Sequence, residues 1–184
     1  MSDLAYSPWG ALRAVRASLV SGLAAVIADV NAEILAAGGL QELATPTIRL
    51  RAQVPQHPGS QLPLIVIVTE DESYESKPFT PNQQRGEQVM GVSLAIFDQG
   101  VEHLGAGDVL AQDAEEDLVL RMRAWNQAVL RCLRRQASQD GALGAGGIQQ
   151  IRPVSRAQLL FSVSASLVDA AAEVMQIELQ IKTR

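Results

Sequence analysis

The chain has 184 residues, a formal charge of −5, 4% aromatic residues and a single cysteine, Cys132. That length fits one domain, which buries roughly 70% of the surface its unfolded chain exposes and needs no disulfide or metal to hold it. Charges of both signs are spread along the chain, without the clustered Lys and Arg that neutralise phosphates or the aromatics that stack bases, so the reading excludes direct nucleic-acid recognition.

Residues before Leu12 include Asp3, Pro8 and Trp9 and lack the basic, apolar and small-residue regions of a signal peptide. No apolar run, Leu64 to Val68 included, approaches the ~20 residues of a membrane span. The expectation is a soluble chain made in a cytoplasm, with no membrane partner.

Leu12, Val15, Leu19, Leu23, Val26, Val30 and Ile34 recur at spacings of three and four, which predicts a first helix with one apolar stripe. Ser7-Pro8 supplies an N-cap and first helical position, and Gly38-Gly39 a left-handed C-cap. Val20 and Ile27 lie off the stripe, so the helix is expected to be covered on more than one side. Thr47 to Ala52 reads as a strand, with Ile48 and Leu50 alternating with Arg49 and Arg51. The continuous β-branched run Leu64 to Val68 reads as a central strand covered on both faces.

Glu70 to Gln88 is polar and long for a connection inside a compact domain, where such loops are functional or disordered. A strand follows at Val89 to Phe97, with Met90, Val92, Leu94 and Ile96 on one face, pairing antiparallel with its predecessor. The polar segment then protrudes as an extended hairpin loop. After a loop from Asp98 to Gln112, a second helix opens on the capping-box-like pair Asp113 and Glu116 and carries the apolar stripe Leu118, Met122, Trp125, Val129 and Leu133. Its end holds Arg131, Arg134 and Arg135, complementing the helix dipole, and a Gly-rich loop from Ser138 to Gly147 ends it.

In the last third, Leu159, Phe161, Val163, Ala165 and Leu167 alternate with serines, and Met175, Ile177, Leu179 and Ile181 alternate with polar residues. These two strands are expected to form a hairpin about a turn at Asp169 to Glu173, with Ile148 to Val154 as a further short strand. The fold class is therefore α+β: a mainly antiparallel sheet flanked by two long helices, with a long protruding hairpin loop.

Chemistry-bearing patterns fail on spacing or context. His57 and His103 fall in loops without companion ligands, and Cys132 sits beside an apolar stripe, as a half-buried structural thiol does. The acidic cluster Glu70, Asp71, Glu72 and Glu75 lacks calcium-loop spacing and reads as a solvated, partner-facing charge run. Gly144, Gly146 and Gly147 follow a helix and open a strand, the reverse of a dinucleotide fingerprint. No catalytic, cofactor or metal residues are assigned, and the chain is read as a non-enzyme. Trp125 and Met122 read as core.

Tyr74 and Phe79 are aromatics in a polar loop, with Lys77 and Arg85 nearby. They read equally well as interface anchors or as pins holding the loop to its own sheet. The candidate interface set is Glu72, Tyr74, Lys77, Phe79 and Arg85.

The order of these elements resembles a known family. An N-terminal helix, the Pro-flanked strand Leu62-Pro-Leu-Ile-Val-Ile-Val and an acidic flap come first. A second strand and a capped helix ending Arg131-Cys-Leu-Arg-Arg follow, then a Gly-Ile start at Gly147 and the strand Met175-Gln-Ile-Glu-Leu-Gln-Ile-Lys. From about Leu12 to Ile181 this pattern resembles the tail-terminator and neck (tail-completion) proteins of tailed bacteriophages. It departs from them in its longer flap and its longer Asp98–Gln112 loop.

The resemblance implies one tail-terminator-like domain over residues 1–184, with 70–88 as the flap. It implies a structural virion protein, made in the bacterial host cytoplasm, whose copies form a hexameric ring on the head-proximal end of the tail tube. The implied partners are further copies of the chain, the tail tube protein and the neck or connector protein, with the sheath protein a further candidate. No cofactor is implied. Two alternatives stand beside this one: another neck, head-completion or baseplate component of a phage-like particle, and a small-ligand-binding or enzymatic dimeric α+β domain. The latter predicts a polar residue on an inward strand face, and the inward sets legible in the sequence are apolar.

Overall fold

The computed structural model describes residues 8–37, 42–54, 62–69, 87–99, 111–137, 143, 148–163 and 168–182. Two helices and five strands follow in the order α1 (Pro8–Ala36), β1 (Thr47–Arg51), β2 (Leu64–Thr69), β3 (Glu87–Gln99), α2 (Ala111–Gln136), β4 (Ile148–Val163) and β5 (Val168–Lys182). The chain is α+β, with one mixed sheet of order β1-β2-β3-β5-β4. β1 runs parallel to β2, and the other neighbouring pairs are antiparallel.

Strand alternation sorts the sheet into two apolar faces. Ile65 and Ile67 of β2 sit opposite Ile96 and Leu94 of β3, and Val92 and Leu94 opposite Ile177 and Met175 of β5. All of these join Leu12, Val15, Leu19, Leu23, Val26 and Val30 of α1 and Met122, Trp125, Val129 and Leu133 of α2 in the main core. Leu64, Val66, Val68, Ala95 and Phe97 form a second buried cluster on the opposite face, with Val54 and Leu62 packed against it. The β-branched run of β2 is thus covered on both faces, as its lack of alternation predicts.

Several expected boundaries move. β3 starts at Glu87, so Glu87 and Gln88 belong to the sheet and not to the flap; Glu70 and the rest of 70–86 lie outside the described residues. At its other end β3 runs past Phe97 through Asp98 and Gln99, which pair with Ala171 and Ala170 of β5, so the expected loop begins two residues late. α2 begins at Ala111, which places Asp113 inside the first turn and removes it from the non-helical N-cap position.

The largest correction concerns the last hairpin. β4 is continuous from Ile148 to Val163, and Val163 pairs with Val168, so the strands reverse across 164–167. Asp169 to Glu173, read as the turn, is instead strand, bonded to β4 from Ser162 to Gln158. Small and polar residues there gave a turn-like local signal, which pairing with strands on both sides overrides. Register shifts between Ile148 and Gln150, and between Pro153 and Ser155, accommodate the Pro153 that made a continuous strand hard to foresee.

α1 starts at Pro8 as its fixed φ favours. Ile27 is buried, so the core contact is wider than the main stripe, but Val20 is 58% exposed. Ser7, Gly38 and Gly39 lie outside the described residues.

Candidate functional site

The five residues expected at an interface, Glu72, Tyr74, Lys77, Phe79 and Arg85, all lie outside the described residues, as do His57, His103, the acidic cluster and Gly144, Gly146 and Gly147. Three features of the described structure bear on function instead.

The first is a buried polar cluster at the end of β3. Asp98 Oδ2 accepts hydrogen bonds from Arg121 Nε and Trp125 Nε1, each at 2.5 Å. Asp98 and Trp125 are buried and Arg121 nearly so. A carboxylate removed from water needs such charged and neutral donors, and both come from one face of α2, where residues four apart stack. The cluster fastens α2 to the sheet. It also puts a polar residue on the inward face of β3, beyond the apolar inward sets read in the last two strands: continuing the Val92, Leu94, Ile96 alternation two places reaches Asp98, a signal the sequence contains.

One residue further along α2, Asn126 is 1% exposed, and among the described residues neither its amide nitrogen nor its oxygen has a hydrogen-bond partner. Ser18 Oγ is in the same condition. Among the described residues no group of three or more His, Cys, Asp or Glu side chains could hold a metal ion.

The second feature is the seam between the helices. Cys132 Sγ donates to the Ser18 carbonyl at 3.6 Å and is fully buried, more so than the half-buried thiol expected. Burial pushes its pKa up to about 11, with Arg135 pulling weakly the other way. A methyl group placed on Gly22 would lie 2.9 Å from Gln136 Nε2 and 3.2 Å from Cys132 Sγ, so the glycine is what lets the helices approach. At the rim, Arg131 Nη1 and Nη2 grip Glu33 at 2.6 and 3.2 Å, and Arg135 Nη2 reaches Asp29 Oδ2 at 2.9 Å. The hydrogen bond from Arg131 holds the Glu33 carboxyl below its ordinary range. Asp29 and Glu33 stand near the C-terminal end of α1, where the dipole disfavours anions, and the α2 arginines offset that.

From within α1, Asn31 uses both ends of its amide on Leu43: Nδ2 donates to its carbonyl at 3.0 Å and Oδ1 accepts from its N–H at 2.8 Å. This tucks the segment after α1 back against the helix. No local pattern announces a bond between residues twelve apart.

The third feature is the outer face of α1. Ala17, Val20, Ala24, Ala28, Ala32 and Leu35 are all exposed, Val20 by 58% and Leu35 by 68%. At spacings of three and four they form one apolar stripe opposite the core stripe. The combination makes Gly10–Ala36 long and apolar enough, by length and composition, to cross a membrane, its most apolar 18-residue window having a mean hydropathy of 1.7. This corrects the expectation that no segment reaches that threshold; interspersed alanines raised the average without forming an apolar run. In this structure one side of the helix is core and its rim is ion-paired to α2.

No protein-family model matches the chain, and no curated protein matches it.

Proposed function

We propose that this chain is a structural virion protein whose copies close into a hexameric ring, capping the head-proximal end of a phage tail tube and offering the surface on which the neck or connector docks. The observation that carries the reading is the exposed apolar face of α1. A stripe of alanines flanked by Val20 and Leu35 allows close backbone approach and is uncharged along its centre, the character of a contact core more than of a solvated helix. An α+β domain that presents this face to a different patch of its neighbour makes a head-to-tail contact, which closes as a ring when the rotation closes. The order of elements, similar to that of tail-terminator and neck proteins, supplies the biological setting. In it the segment from Glu70 onward, with Glu72, Tyr74, Lys77, Phe79 and Arg85, is the one that reaches the next ring or the tube.

The test is the mass of the purified chain by analytical ultracentrifugation, with electron micrographs, alone and with tail tube. Rings of six copies are expected, and Val20→Glu combined with Ala28→Glu should abolish them with unchanged thermal unfolding. A chain that remains a single copy even with tail tube present overturns the reading.

A further inference from the structure

The sheet has two outer strands, β1 and β4, and they differ in how well they are protected. β1 is five residues long, and its Thr47, Arg49 and Arg51 are exposed. A short cationic edge discourages another strand from adding to it. The first part of β4 is protected in another way: its pairing with β5 shifts register twice, and Pro153 has no N–H to donate.

From Ser155 to Val163 that protection ends. The nine residues Ser-Arg-Ala-Gln-Leu-Leu-Phe-Ser-Val pair with β5 from Gln176 to Val168 without a shift. The segment holds no Pro, Gly, Lys, Asp or Glu, and three large apolar residues stand in succession at 159–161. In an antiparallel ladder alternate residues bond to one neighbour, so half of this backbone's donors and acceptors turn away from β5. Among the described residues no strand lies on that side. A row of alternating N–H and C=O groups is matched by an extended strand.

We propose that the outer edge of β4 from Ser155 to Val163 is a strand-addition site that pairs antiparallel with the same segment of a second copy of this chain. The segment is self-complementary. Centred on Leu159, the pairing sets Phe161 opposite Ala157, Leu160 opposite Gln158, and Arg156, the one charge, opposite Ser162. No like charges meet, whereas pairing with β1 would offer five residues and bring Arg49 and Arg51 to the contact. The contact is two-fold and joins copies in pairs, so it stands independently of the head-to-tail ring.

The experiment measures the mass of the full chain across a concentration series, for the native sequence and for Leu159→Pro and Leu160→Pro. Adjacent N–H groups point to opposite edges, so one proline removes an outward donor and the other breaks the ladder with β5. A two-fold contact is expected in the native chain, as pairs of single copies or as pairs of rings where rings form. One proline variant should retain native circular dichroism and unfolding temperature and lose the pairs. A Leu159→Cys variant should cross-link copy to copy under mild oxidation, with Cys132 buried and silent. Single copies at every concentration, open-ended aggregates, pairs that survive both prolines, or no cross-link each overturn the proposal. Where rings form, blocking the edge should separate paired rings into single rings; rings whose mass the block leaves unchanged overturn the proposal and leave the ring reading intact.

Discussion

Asp98 is the residue on which the helix layer and the sheet layer depend most directly. Its carboxylate is buried and bonded to both Arg121 and Trp125. Asp98→Ala removes the acceptor shared by the Arg121 Nε and the Trp125 indole N–H, which should lower unfolding free energy by about 3–5 kcal/mol. Asp98→Asn keeps an oxygen for Trp125 and should cost less; equal losses in urea unfolding would refute the shared-acceptor account. Cys132 offers a second residue-level expectation. Its pKa is raised from an ordinary 9.0 to about 11 because burial disfavours the thiolate. A group whose folded pKa is raised contributes stability below the unfolded value and loses it as pH climbs through the folded one. Thiol reagents should therefore leave the native protein unlabelled and label it on unfolding, and stability should decline between pH 9 and about 11. Cys132→Ser should remove most of that decline.

At the scale of elements, the α1–α2 seam combines close approach in its centre with charge at its rim. Gly22→Ala has only the far end of Gln136 and the Cys132 sulfur to displace, and alanine's better helix propensity, about 1 kcal/mol, offsets the crowding. Gly22→Leu has no such room and should destabilise by about 1–3 kcal/mol. Urea midpoints for the two variants distinguish a tight seam from a loose one. The rim responds to acid. Glu33 has a folded pKa depressed from 4.5 by the Arg131 hydrogen bond, so its contribution is present above that value and is lost as pH falls through the lower folded one. Unfolding temperature followed from about pH 6 to about pH 3 should show an acid decline that Glu33→Gln makes shallower. Both partners are solvent-facing, so the effect is small and screened by salt.

For the whole molecule, the apolar surface of α1 is divided between the core and the contact proposed to join copies. One stripe of α1 is spent inside the core, while the stripe from Ala17 to Leu35 is exposed. Assembly through that second stripe should be insensitive to ionic strength, because apolar contacts are not screened. Ring mass should hold at about 1 M salt, where charges farther apart than ~3 Å are screened. Dissolution of the rings by salt would show that a charged contact, and not the α1 face, joins the copies.

Residue patterns within single elements determined the core stripes of both helices and the double burial of β2, because spacing sets a face. The order of the elements gave the α+β class and the antiparallel pairing of β2 with β3. Tertiary pairing decided what local signals could not. Asp169 to Glu173 looks like a turn and is strand because β3 and β4 bond to it from either side. Asp98 looks like the start of a loop and is a buried clamp because α2 delivers Arg121 and Trp125 to it. The α2 signal was legible, yet Asp113, read as its cap, lies inside its first turn, since a cap depends on where the chain enters the helix. Val20 and Ile27 differ by seven residues and share one sequence character; only packing against the sheet and α2 leaves the first exposed and the second buried.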